Sequence, residues 1–456
     1  MGAVTTASDV LRRRASARAR ATGLAILALG VTSQACATEA RADDAPGLSA
    51  AGGAYVPRPE HDLATLLAIV RRRSPSLQGD LLVADVARAE ARQARLLGNP
   101  VLDATWGTIP LGETNPSNLR SPLTNIPSYS VGVNYTFPLG KRGPRQERGE
   151  AIAEGASYFA EASARNQALD FARLLGRVAV TRLRIDGLRG VVEQQRGVLE
   201  IARTRLTQGF GTPLDIDRLE IDLGRTQQQV LVTEADEQAE LTACAVYAGA
   251  PCQAIGSAED ARALILSWAK RAVDGTPHVE ARPDLRALEA LQRAAVAEAG
   301  LARAQAIPDP TVRVGYTYDQ FTISGNQANS LNLSVSLPVT IFDHGQAQLQ
   351  AAEARRARLQ SQRALTVRTS LTRVVALREL LRLQQKRQEA IATTLPRARA
   401  VLDQLQRAAT GRLIPFTDVL QARRTLDELL VEEADSYGDS FQTSVDLIAE
   451  MGPAPR

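Results

Sequence analysis

The second half of this chain repeats the first. The run Ser74, Pro75, Ser76, Leu77 returns as Arg282, Pro283, Asp284, Leu285, and Asn99-Pro100 returns as Asp309-Pro310. Phe137-Pro138 returns as Leu337-Pro338, and Gly209 with Pro213 returns as Gly411 with Pro415, so the offsets are 208, 210, 200 and 202. One period with small insertions makes each half a copy of one unit, and the fold has to build that unit twice. The expected repeats are residues 62–272 and 273–456.

Within each unit the hydrophobic period changes. Tyr129, Val131, Val133, Tyr135 and Phe137 alternate with Ser130, Gly132, Asn134 and Thr136, a period of two. The same alternation appears in Val312, Val314, Tyr316 and Tyr318, in Leu331, Leu333, Val335 and Leu337, and more weakly in Leu102, Ala104 and Trp106. Strands are therefore expected near 100–106 and 129–139 in one repeat and near 311–318 and 331–339 in the other, each pair joined by a polar loop. Alternation fits a soluble sheet packed on a core, or a barrel wall with lipid outside and water inside. Small polar residues opposite an apolar and aromatic face suit a water-filled lumen, and about nine residues cross a membrane when tilted. The barrel is the favoured reading.

Around the strands the period becomes helical. From Leu174, the positions Val178, Thr181, Ile185, Leu188, Val192, Gln195, Leu199, Ala202 and Leu206 follow in alternating steps of four and three, a heptad seam. Val374, Leu377, Leu381, Gln384, Gln388, Ile391, Leu395, Ala398, Leu402 and Leu405 keep the same rhythm. A helix from about Arg145 to Gln208 would be roughly 95 Å long at 1.5 Å per residue. Pro396 falls inside the second seam, where its missing donor should bend or open the helix. The seams end at turns near 209–213 and 410–415, after which helical sequence resumes, so these are tips of antiparallel hairpins. Aromatic residues are only 4%, a composition poor in the material of a compact core.

The formal charge of +4 resides in the first residues, where Arg12, Arg13, Arg14, Arg18 and Arg20 stand against Asp9. The rest balances to zero, which leaves no electrostatic footprint for nucleic acid. Those arginines precede a short apolar run, Thr22 to Val31, and then Ala35-Cys36-Ala37, the order of a secretory signal covering residues 1–37. Cys36 has a second reading as a lipidated first residue, although Ser33-Gln34-Ala35 is a poor processing box. Residues 38–61 read as an extended leader. Cys244 and Cys252 flank Gly249 and Pro251, which in an oxidising compartment suits a structural disulfide, with two free buried thiols as the alternative.

Catalytic and metal patterns are missing. His61, His278 and His344 have no ligating partner at a useful spacing, so no resident metal or other cofactor is expected. No nucleophile elbow or phosphate loop occurs, and the expectation is a chain that is not an enzyme.

Over residues 60–450 the chain resembles the TolC-like outer-membrane efflux proteins. The resemblance rests on the repeat, on Phe137-Pro138-Leu139-Gly140 and Leu337-Pro338-Val339 before long helices, and on Gly411 through Thr417-Asp418-Val419-Leu420. It implies a mixed α and β fold, a homotrimer whose four strands per chain close a twelve-stranded transmembrane barrel continued by a coiled-coil helical barrel through the periplasm. It also implies the outer membrane of a Gram-negative bacterium, with a periplasmic adaptor at the tips (Gly209, Phe210, Gly211, Gly411, Arg412) and an inner-membrane transporter of RND type as partners. Asp418 occupies the place where that family narrows its periplasmic end with acids, Gln421 stands where a second acid is sometimes found, and Asp215 and Asp217 lie close to the first tip. Acids in a helix's first turn also favour the positive dipole end, so each has a purely structural reading. The function expected is the exit duct of a tripartite efflux system. Its alternatives are the outer channel of a type I protein secretion system and a soluble periplasmic coiled-coil scaffold.

Overall fold

The computed structural model describes residues 54–107, 128–319, 327–410 and 416–453. The expected signal segment with Cys36, most of the leader, the two inter-strand loops and the second tip with Gly411 and Arg412 lie outside the described residues.

Helix α1, Leu63–Arg73, starts from Asp62, whose carboxylate accepts the Thr65 N–H at 2.8 Å. Pro75 opens α2, Pro75–Arg95, and holds Ser74 in an extended conformation that separates the two helices. Strands β1, Val101–Gly107, and β2, Ser128–Thr136, lead into α3, Arg142–Thr207, which turns back as α4, Pro213–Ala248. After α5, Ala258–Asp274, the pattern recurs: α6 Pro283–Ala304, β3 Thr311–Asp319, β4 Asn329–Ser336, α7 Gln346–Thr410 and α8 Phe416–Met451. With 66 and 65 residues, α3 and α7 are each about 100 Å long. Pro396 sits inside α7, and the interruption expected there does not end the helix.

The seams pack as their spacing requires. Leu174, Val178, Ile185, Val192 and Leu199 of α3 are buried, as are Val374, Leu381, Ile391, Leu395 and Leu402 of α7. The polar interruptions Thr181 and Gln195 are buried too, and Gln195 donates to the Thr226 hydroxyl of α4 at 2.8 Å. Alanine lets the shorter helices lie close against the long ones: Ala87 and Ala91 of α2 meet Ala153 of α3, and a Cβ on Gly149 would stand 3.2 Å from the Ala91 backbone.

A compact core is nevertheless present, contrary to the expectation from composition. Leu66 and Val70 of α1, Phe171 and Leu174 of α3, Leu264 and Trp268 of α5, and Phe441 and Val445 of α8 form one buried cluster. Few aromatics suffice because they are concentrated here, with the Trp268 and Phe441 ring centroids 5.7 Å apart.

The strands form one antiparallel sheet in the order β1-β2-β3-β4. The strand pair expected in each repeat is present, and pairing of β2 with β3, Ser128 opposite Asp319 through Thr136 opposite Thr311, fuses the two repeats into one four-stranded wall.

Candidate functional site

Register sorts the sheet into two faces. Leu102, Val133, Val314 and Leu333 stand in one row, and Ala104, Val131, Tyr316 and Leu331 in another. The opposite face carries Asp103, Gly132, Gly315 and Asn332, then Thr105, Ser130, Thr317 and Ser330. Among the described residues no helix covers the apolar face, where Leu102 and Leu333 are each 72% exposed. Strands β1 and β4 also end the sheet with edges that are unpaired among the described residues. Bare apolar rows with open edges suit a wall segment bathed in hydrocarbon and closed by further strands, since lipid tolerates no free edge. Among the described residues no helix is long and apolar enough to cross a membrane.

At the other end of α3, the first tip turns on Gly209 and Gly211, with φ of 79° and 127°, a region that side chains resist. The Phe210 N–H donates to the Arg205 carbonyl at 2.8 Å, and Phe210 is 41% exposed. Thr212 and Asp215 close the start of α4 reciprocally: the Asp215 N–H donates to the Thr212 hydroxyl and the Thr212 N–H to the Asp215 carboxylate, both at 3.2 Å. Asp215 thus serves as a cap. Asp217 is exposed on α4 and Asp418 exposed in the first turn of α8, and among the described residues neither is joined to another side chain. The hairpins are tied together near the tips, where Arg205 donates to the Ala409 carbonyl at 2.7 Å and Leu420 packs beside Val198, Leu199 and Leu219.

Deeper between the hairpins lies a charged cluster that the sequence reading missed. Arg423 of α8, its side chain 4% exposed, reaches Asp222 of α4 at 3.1 Å and stands 3.8 Å from Asp427. Burial pushes the Asp427 carboxyl up to about 6, with the Asp222 charge adding to the rise and Arg423 opposing it. Asp427 also borders a cavity of about 410 Å³ with Leu188, Val191, Thr226 and Thr233. In the sequence, Arg423 and Asp427 look like any exposed helical pair such as Arg407 with Asp403, and only tertiary packing separates the two cases.

Cys244 and Cys252 are joined as a disulfide with Cα atoms 6.0 Å apart. The loop they close holds the leader: the Tyr55 N–H donates to the Pro251 carbonyl at 2.8 Å, and the Gln253 N–H to the Tyr55 carbonyl at 2.9 Å. Among the described residues no group of three ligating side chains could hold a metal ion.

Comparison with known proteins gives a consistent picture. Residues 279–452 match the outer membrane efflux protein family. A stretch of 289 residues is 28% identical to the pyoverdine export outer membrane protein OpmQ of Pseudomonas aeruginosa, covering 58% of this chain. The match spans 59% of that protein's length. Among solved structures, the outer-membrane channel OprN is similar with a TM-score of 0.66 at 18% identity, over 86% of this chain and 89% of that one. CusC, described in terms of transmembrane channel formation, gives 0.69 at 16% identity over 86% and 92%. VceC from Vibrio cholerae gives 0.65 at 20% identity over 86% and 96%.

Proposed function

We propose that the chain is a TolC-like outer-membrane efflux protein, as the family match over residues 279–452 and the shared fold support, and that it forms the exit duct of a tripartite efflux system, passing small solutes from a periplasmic pump to the exterior. The family is one of channels rather than enzymes. The register of the sheet carries the reading: one face is apolar and aromatic apart from Asn329 at its end, the other is mostly small and polar, and among the described residues both edges are open. Three copies joined β4 to β1 would close the barrel, satisfy the edge groups and enclose the polar face as a bore.

The two repeats, 62–272 and 273–456, each supply two strands and one long hairpin to this duct. A periplasmic adaptor docks at the tips, through Gly209, Phe210 and Gly211 in one repeat and Gly411 and Arg412 in the other. An inner-membrane transporter, of RND type, supplies the energy. Asp217 and Asp418 present their carboxylates at the periplasmic constriction, with Asp215 adding charge from its cap. The small-solute reading is preferred over protein secretion because the relative named for pyoverdine export handles a small molecule. A soluble scaffold would have to leave the apolar rows in water, at roughly 25 cal/mol for each Å².

Reconstitution into a planar bilayer tests the duct: discrete conductance is expected, and a protein that stays in the aqueous fraction with none would overturn it. A deletion strain challenged with metals, dyes and drugs should lose tolerance to a solute. Unchanged tolerance with loss of an exported protein would shift the reading to secretion.

A further inference from the structure

On the polar face of the sheet one ion pair crosses from one repeat to the other. Arg313 of β3 sends its guanidinium over β2 to Asp103 of β1, with Nη2 donating to Oδ2 at 2.6 Å and Nε to both carboxylate oxygens at 3.2 Å. Asn134 donates its side-chain amide to the same carboxylate at 2.7 Å. Gly132 lies beneath the crossing, where a Cβ would stand 3.0 Å from Nε and Nη2, and a Cβ on Gly315 would stand 3.2 Å from Nη1. Two absent side chains make a shallow trough, and the arginine lies along the wall in it.

The surrounding face is neutral. Ser130, Thr317, Asn332 and Ser334 flank the pair, and the other charge among the described residues of this face, Asp319, is at the far end of β3. An arginine left without its acid has a long flexible stem and a permanent charge. Repeated around a closed barrel, such free arginines would raise anion density and repel cations at that level, as charged rings do in other pores.

We infer that Asp103 sets the ion preference of the bore at the level of the sheet by pinning Arg313 flat against the wall, so that each pair cancels its own charge and this stretch of the passage favours neither sign. The inference rests on the duct reading. Asp103 acts here as a positioning residue: its effect on the solute passes through where it holds Arg313.

The test puts a cysteine at Ser130, whose hydroxyl is 3.5 Å from Arg313 Nη2, in the full chain reconstituted in lipid vesicles. Its modification rates by an anionic and a cationic methanethiosulfonate are compared, with the protein lacking S130C as background. Adding D103N should raise the anionic-to-cationic rate ratio roughly 16-fold before salt screening, since one unpaired charge at about 5 Å in water changes each singly charged reagent's rate about fourfold, in opposite directions. D103E should keep the parental ratio, and D103N with R313Q should restore it, which a simple strut would not do. G132A, which displaces the guanidinium from its trough, should move the ratio in the same direction as D103N. Equal ratios with and without D103N would overturn the inference and leave the duct standing. A cysteine at 130 unreactive toward both reagents would place this face away from water, and the duct reading would fall with it.

Discussion

Replacing Gly176 with alanine should loosen the contact between the two repeats without touching either tip or sheet. Gly176 lies where α3 meets α8, and a Cβ there would stand 2.2 Å from Cδ1 and 2.3 Å from Cε1 of Phe441. Phe441 is 2% exposed and packs on Trp268, which is 1% exposed, so the ring can give way only toward the cavity of about 300 Å³ that it lines with Gly176, Val180 and Gly438. Overpacking costs about 1–3 kcal/mol, and a collision with two ring carbons whose other side is held by Trp268 belongs at the upper end. Alanine's better helix propensity returns about 1 kcal/mol. The net loss of about 2 kcal/mol corresponds to a roughly 30-fold shift in the local opening equilibrium. Amide hydrogen exchange of α8 around residues 438–445, read by mass spectrometry on the purified protein, measures that opening directly. It should quicken by that factor in G176A. F441L in the same chain should recover part of the loss, giving a coupling of about 1–2 kcal/mol between the two sites. Parental exchange in G176A, or effects that add to within about 0.5 kcal/mol, would refute the claim that this packing seats α8.

Three further outcomes follow from the same structure. Because burial raises the Asp427 carboxyl to about 6, the folded chain holds this proton more tightly than the unfolded one. Stability at the Asp222–Arg423–Asp427 junction is therefore full below about pH 4 and declines as pH rises through about 6. Exchange across residues 420–430, corrected for its intrinsic pH dependence, should be slower at pH 5 than at pH 8, and D427N should abolish the difference. D418A should shift the reversal potential in a salt gradient away from cations while leaving thermal unfolding near the parental value; an unchanged potential removes Asp418 from the constriction. Serine at both Cys244 and Cys252 opens a loop whose ends are eight residues apart, a loss of about 2–3 kcal/mol in the chain-entropy account. Proteolysis near Tyr55 should then accelerate, since its two backbone partners lie in and beside that loop, while conductance is retained.

Much of the fold was legible because its signals are local. Alternation over Tyr129–Phe137 is a property of neighbouring residues, and β2 follows it from Ser128 to Thr136. The heptad steps from Leu174 likewise mark the buried side of α3 wherever its partners lie. The core was misjudged because composition averages over the chain, whereas Phe171, Trp268 and Phe441 come from three distant helices and act together. The tip acids were partly legible too: Asp215 was visible as a first-turn acid, and its bond to Thr212 joins residues only three apart.

By itself the sequence determined the repeat, the helix and strand periods, the Gly-Pro tips and the two faces of every strand, since each arises from residues close enough to share one turn or one pleat. Tertiary structure alone decided that β2 pairs with β3, that Arg313 crosses to Asp103, and that Arg423 is buried while other arginines at the same spacing are solvated. These contacts join positions about 200 residues apart, where a local pattern carries no record of its partner and only the packing of the two repeats selects one.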